Sequence, residues 1–183
     1  MKQALLYIWE LVKIFIIALI IVVPIRYFLF QPFIVQGDSM VPNFHNGDYL
    51  IVDELSYRFE PVNRGDIIVF KFPLNTSQRF IKRVIGLPGE TVDVNGGIVT
   101  ITGKNNQKQA LDEEKYLKNA KEITTGSVHI TLGDGEYFVM GDNRQYSYDS
   151  RAWGLVPKED IIGKVFVRIF PLASFEKIPV LSY

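Results

Sequence analysis

Cysteine is absent from all 183 residues. That excludes a thiol nucleophile, a disulfide-stapled scaffold and cysteine-ligated zinc, and it is compatible with an oxidising compartment. Histidine is nearly absent: only His45 and His129 can supply an imidazole, so a Ser-His-Asp triad has almost no candidates. Net charge is lacking too. Twenty lysines and arginines balance twenty aspartates and glutamates, so no overall field points to nucleic acid or to an acidic partner. There is no internal repeat and no low-complexity tract. The length suits one compact domain, or a small domain plus an anchor.

What is present begins with an apolar N-terminal run. Leu11 to Phe30 is about twenty residues, which as a helix rises about 30 Å, the thickness of a bilayer's hydrocarbon core. Ile14 to Val23 is apolar on every face rather than along one stripe, unlike a helix half-buried in a soluble domain. Lys13 and Arg26 would sit at the two interfaces, where long cationic side chains snorkel. The segment Arg26 to Pro32 offers no small-residue cleavage site, so the expectation is an uncleaved transmembrane anchor at 11–30 after a short cytoplasmic stretch at 1–10. Lys2 and Lys13 flank its N-terminal side and no lysine or arginine occurs between Tyr27 and Tyr57. The positive-inside rule keeps the N-terminus in the cytoplasm and exports the rest.

Beyond Phe30 the pattern changes to short β-like runs: Tyr49 to Val52, Ile67 to Phe72, Phe80 to Ile85, Tyr137 to Met140 and Ile161 to Phe170. Turn residues separate them, and Asn95-Gly96 between two alternating runs signals a hairpin. Only Leu111 to Lys121 resembles a helix, short and mostly polar. The expectation is one mainly β extracytoplasmic domain over 31–183, with a variable lobe at about 103–135.

Two stretches carry candidate chemistry. Gly37-Asp38-Ser39-Met40-Val41-Pro42 places a serine just past the apolar segment, and a serine hydroxyl needs a base within hydrogen-bond reach. Phe80-Ile81-Lys82-Arg83-Val84-Ile85-Gly86 places a lysine in an aliphatic run. In an extended segment Phe80, Lys82 and Val84 share one face, and burial among apolar groups favours the neutral amine that a base requires. Arg83 falls on the opposite face and stays charged. A third stretch, Gly141 to Gly154, is too polar for a strand and dense in Asp, Asn and Arg. It is expected to form a hydrogen-bonded platform, with Ser147 beside the lysine amine and with Asp149, Arg151 and Arg83 in one buried ion-pair network that fixes the lysine's strand.

Together these stretches resemble the bacterial type I signal peptidases. Gly37 to Pro42 is similar to the family's nucleophile box, Arg64-Gly65-Asp66-Ile67-Ile68-Val69-Phe70 to its core strand, Phe80 to Glu90 to its lysine box, and Gly141 to Trp153 to its GDNR…DSR box. The resemblance runs from the anchor to about Pro171. It implies a signal-peptidase-like antiparallel β domain of two sheets, partly barrel-like, with Ser39 as nucleophile and Lys82 as general base. It implies support from Ser147, Arg83, Asp142, Asp149 and Arg151, no metal or organic cofactor, and removal of signal peptides from exported preproteins at the membrane. A single anchor and a short chain look like the Gram-positive form. Longer members carry a serine two positions before the nucleophile as an oxyanion donor, where Gly37 stands here. A substrate paired as an added strand beside Gln31 to Gln36 would present small side chains to shallow pockets, with Phe33, Val35, Met40 and Ile81 as lining and Gly37 beside them. Two rivals remain: a self-cleaving Ser–Lys regulator, which would need a soluble DNA-binding region in place of the anchor, and a non-catalytic membrane-tethered assembly or binding module, which should have lost Ser39 or Lys82.

Overall fold

Alternating valine, isoleucine and phenylalanine over short runs fits half-buried pleated strands, and strands dominate the computed structural model, which describes residues 2–28, 30–119 and 123–179. A helix, α1 (Lys2–Phe28), precedes β1 (Phe30–Ile34). Then follow β2 (Tyr49–Asp53), β3 (Ile67–Phe72), β4 (Asn75–Gly86), β5 (Thr91–Asn95), β6 (Ile98–Thr102), β7 (Lys108–Ala110), β8 (Val128–Thr131) and β9 (Glu136–Met140). A single-turn helix α2 (Ser150–Trp153), β10 (Val156–Pro157), β11 (Ile161–Phe170) and β12 (Glu176–Lys177) complete the chain.

The larger sheet runs β1-β2-β11-β3-β4-β9-β10, with β12 added beside β11; the smaller runs β7-β6-β5-β8. Every pairing is antiparallel. The sheets are not closed into a barrel. β1 ends the larger sheet, and β4 has two halves of different status. It runs beside β3 from Asn75 to Arg83, in continuous register over Arg79 to Arg83 with a shift before Asn75, and β9 joins only at Arg83 to Gly86. Among the described residues, the front half of β4, up to Lys82, therefore has no strand on its second edge.

Side chains from the two sheets separate into three cores. Val35, Met40, Phe44, Leu50, Val52 and Val69 pack under β1 and the segment that follows it. Ile68, Phe70, Val84, Tyr137 and Val139 pack on the other side of β3 and β4. Val92, Val94, Val99 and Ile101 of the small sheet close on Phe138 and Met140, so the hairpin alternation buries one face as a one-sided antiparallel sheet should. That hairpin turns at Gly96 and Gly97, with φ of 55° and 80°, while Asn95 still pairs with Ile98. Two successive positive φ values make the type I′ turn whose twist matches the strands.

One local expectation changes against the structure. The helix expected at Leu111 to Lys121 is instead a 3-10 turn at Glu113–Lys115 followed by irregular chain, with 120–122 outside the described residues. Glu113 and Leu117 there are buried, so tertiary contacts rather than helical propensity decide the backbone. Within 103–135, β7 and β8 extend the small sheet. In β11, register shifts after Val165 and after Arg168 break the simple alternation, turning Arg168 inward and leaving Phe166 and Phe170 half-exposed. Among the described residues, no helix is long and apolar enough to cross a membrane; position 29, within the expected span, lies outside them.

Candidate active site

The nucleophile box is held as a loop between β1 and β2. Val35 N–H donates to Asp48 O and Gly47 N–H returns the bond to Val35 O, both at 2.9 Å. Gly37 adopts φ +82° with open space where a side chain would stand, a conformation that glycine takes at no steric cost. Its N–H is capped by Asn46 Oδ1 at 3.0 Å. Met40 and Phe44 plunge into the core, so the chain between Gly37 and Met40 is pinned at both ends and Ser39 is presented between them. Arg168 of β11 secures the far side of the loop, donating to Asn43 O at 2.7 Å and to Asp48 Oδ2 at 3.2 Å.

Lys82 lies at the last position of β4 before β9 joins. Its side chain is only 4% exposed. Nζ donates to Ser39 Oγ at 2.8 Å and to Ile81 O at 2.9 Å, and it sits 5.3 Å from the centroid of the Phe80 ring. Phe80 and Val84, the neighbours expected on its face, belong to the core behind it. Burial lowers the Lys82 pKa to about 8, against a smaller opposing pull from the Asp149 and Asp142 carboxylates. An amine in that position is neutral far more often than one in water.

The polar stretch after β9 forms the back wall, held by several ion pairs rather than the single expected network. Arg83 meets Asp142 through Nε at 2.8 Å and Nη2 at 2.6 Å. Asp149 is held by Arg151 Nε and Nη2, each at 2.8 Å, and accepts the Gly141 N–H at 2.9 Å. Burial pushes the Asp149 carboxyl upward, but Arg151, the Gly141 amide and Ser147 outweigh it and hold the pKa below the ordinary value. A third pair was not foreseen: Arg144, fully enclosed, donates to Glu113 Oε2 at 2.8 Å and Oε1 at 2.5 Å, and to Thr124 Oγ1 at 2.9 Å. Only the proximity of two unlike charges in space could have revealed it, since the partners lie in separate stretches of no common pattern.

Ser147 Oγ is buried but completes no hydrogen bond of good geometry, although it stands near enough to Asp149 to influence its titration. It packs against Gly141, where a methyl group would collide with both Ser147 Oγ and the Ser39 carbonyl. That close approach requires glycine.

An open cleft of about 780 Å³ runs past Ser39 and Lys82. One wall is the chain from Phe33 to Ser39, the other the front half of β4 from Ser77 to Lys82. Phe33, Val35, Gly37 and Ile81 lie on it as expected. Met40 does not, being wholly buried beneath. Arg79, Tyr146 and Tyr148 join the walls unforeseen, and Arg79 reaches over the Phe33 ring, 5.6 Å from its centroid.

A serine hydroxyl thus meets a buried amine at 2.8 Å beside an open groove. The family described as signal peptidase, peptidase S26, matches residues 8–170. A probable signal peptidase I-1 of Synechocystis sp. is 40% identical across 93% of this chain and 92% of its own length. Signal peptidase I of Bacillus caldolyticus is 36% identical across 87% and 90%. A crystal structure of a signal peptidase I from Enterococcus faecalis is 33% identical, with a TM-score of 0.47 over 58% of this chain and 97% of that one. The chain belongs to the S26 signal peptidase family and is a bacterial type I signal peptidase, a serine endopeptidase. Membership sets aside both the self-cleaving regulator and the non-catalytic module.

Proposed function

We propose that Ser39 and Lys82 form the catalytic dyad of a single-pass membrane peptidase that cuts signal peptides after small residues. The observation that carries the reading is the 2.8 Å hydrogen bond between Lys82 Nζ and Ser39 Oγ, made by an amine whose burial lowers its pKa to about 8. Neutral Lys82 accepts the Ser39 proton as Oγ attacks the scissile carbonyl. The charge developing on that carbonyl oxygen is met by the Ser39 N–H. The tetrahedral intermediate collapses as the Lys82 ammonium passes its proton to the departing amine of the mature protein, leaving the signal peptide esterified to Ser39. Water, deprotonated by the same amine, attacks the ester. The signal peptide leaves as a carboxylic acid and Ser39 recovers its proton. Arg83, Asp142, Asp149, Arg151 and Ser147 support the base from behind by fixing the loop against β4.

The substrate enters as an extended strand between β1 and the front half of β4, where main-chain groups are free to pair. Alternate side chains then meet walls that include Phe33, Val35 and Ile81, which leave room for small ones at the cleaved position and two before it. The apolar segment 11–30 is the anchor, with residues 31–183 as the extracytoplasmic domain and 1–10 in the cytoplasm. Support comes from Ile14, Phe15, Ile16 and Ile17, all largely exposed. Four successive residues at about 100° each sweep most of the helix circumference, so no face is reserved for protein. Lys13 pairs with Glu10 at 2.6 Å near the entry end.

The test is processing of a preprotein by the full chain in detergent micelles, comparing wild type with Ser39→Ala and Lys82→Ala. Both variants should lose cleavage while binding the preprotein. Normal processing by Lys82→Ala would remove the base and with it the mechanism.

A further inference from the structure

Ser39 is flanked by two peptide units, and one residue grips both. The Asn143 backbone N–H donates to Ser39 O at 3.0 Å, and Asn143 Nδ2 donates to Asp38 O at 3.0 Å. The second bond matters chemically, because Asp38 C=O and Ser39 N–H belong to the same peptide plane. In a trans peptide the two groups point in opposite directions. A donor that holds the carbonyl from the loop side therefore aims the N–H away from the loop. Among the described residues no acceptor takes that N–H. A hydrogen bond to the carbonyl also polarises the unit and makes its N–H a stronger donor.

Two features raise the weight on this amide. Gly37 supplies no hydroxyl near the oxyanion, and its φ of +82° in open space leaves the preceding backbone with no side chain to steady it. The Asp38 carbonyl has one other partner, the Val41 N–H at 3.2 Å, a local turn bond at the long end of the normal range. Asn143, by contrast, stands on a stiff base. Asp142 beside it is clamped by Arg83 and by Asn43 Nδ2 at 2.7 Å, and Arg144 on its other side is locked to Glu113 and to Gly141 O.

We propose that Asn143 is a positioning residue that aims the Ser39 N–H at the oxyanion, compensating for the absent hydroxyl at Gly37. The proposal rests on Ser39 being the nucleophile. Its test uses the full chain in detergent micelles with a preprotein and, separately, a peptide aldehyde whose carbonyl carbon accepts Ser39 Oγ, the proton passing to Lys82 and the aldehyde oxygen becoming the oxyanion. Asn143→Asp keeps the size and the backbone bond but turns a carboxylate oxygen toward the Asp38 carbonyl; Asn143→Ala removes the donor. Both should lower kcat about 10- to 100-fold, less than the full loss of an oxyanion donor because the turn bond remains. KM should stay within about twofold, the pH midpoint of kcat should not move in the uncharged Asn143→Ala, and aldehyde affinity should fall in step with kcat. Asn143→Gln, which retains a donor, should recover part of the rate. Wild-type kcat in Asn143→Asp overturns the proposal, as does a loss confined to KM. A loss accompanied by a lowered melting temperature in both variants assigns a mere loop staple and overturns it too. Ser39→Ala runs beside them: if that variant processes normally the nucleophile reading fails, whereas its inactivity beside fully active Asn143 variants defeats only the positioning role.

Discussion

On the proposed mechanism Lys82 must be neutral before it can take a proton from Ser39, so the cleavage rate of the wild-type chain should climb with pH. A lysine amine in water titrates near 10.5, which leaves about one molecule in 3,000 neutral at pH 7. With burial holding the amine at about 8, about one in ten is neutral at pH 7 and about nine in ten at pH 9. Initial rates at saturating preprotein should rise close to tenfold per pH step well below the midpoint and flatten above it. The same burial has a cost in stability. The folded amine titrates lower than the unfolded one, so the unfolded chain binds the extra proton between about 8 and 10.5, and stability rises with pH across that window. Below it the penalty is complete, about 3 kcal/mol. Lys82→Met keeps the length and removes the charge. At pH 7 it should gain that penalty back less about 1 kcal/mol for the bonds to Ser39 and Ile81. A net gain of about 2 kcal/mol means a melting temperature about 4–8 °C higher, with no cleavage at any pH. The advantage should shrink as pH rises toward 10.5. A rate profile with its midpoint near 10, a flat profile from about pH 6.5 to 9, or a Lys82→Met chain less stable than wild type at pH 7 would each refute the reasoning.

Other perturbations follow from the same geometry. Asp142→Asn removes the carboxylate from an ion pair whose side chains are 0% and 4% exposed; urea unfolding should register a loss of about 3–5 kcal/mol, and a change below 1 kcal/mol would speak against a buried pair. Ile81→Trp narrows the cleft between β1 and β4, so a panel of preproteins should show cleavage retained after glycine and weakened after alanine; an unchanged preference removes Ile81 from the lining. Gly141→Ala drives a methyl into the Ser39 carbonyl and Ser147 Oγ, and cleavage should fall by at least about 100-fold, since small misplacements of reacting groups have effects of that order. Glu113→Ala leaves buried Arg144 without its carboxylate and should lower stability by about 3 kcal/mol, read by thermal unfolding.

Local pattern was enough to mark most of the β runs, the hairpin near Asn95 and the faces of β4, because period-two alternation records burial directly. It also put Lys82 among apolar neighbours, since Phe80 and Val84 are two residues away on the same strand. What it missed depends on chain segments meeting across long separations. Glu113 and Arg144 are each unremarkable in their own stretch, and their pairing, 31 residues apart, is what replaces the expected helix with a turn. Met40 follows Ser39 directly, which suggests the cleft, yet the loop's anchorage turns its side chain into the core. Arg79, Tyr146 and Tyr148 carry no signature and reach the walls only where β4 and the loop after β9 meet at the cleft. The bulges in β11 likewise escape a strict alternation, and they decide that Arg168 rather than Phe166 faces inward.

The split status of β4 bears on what the proposed cleft would admit. A sheet that stops pairing one residue short of its base offers backbone donors and acceptors to a visitor that has none of its own partners. A helix or a finished strand has already spent those groups internally and finds nothing to exchange. On the proposed strand-addition mode, the missing rung would act as a filter for conformation before any side chain is inspected, sparing folded cargo while admitting the slack joint that precedes it.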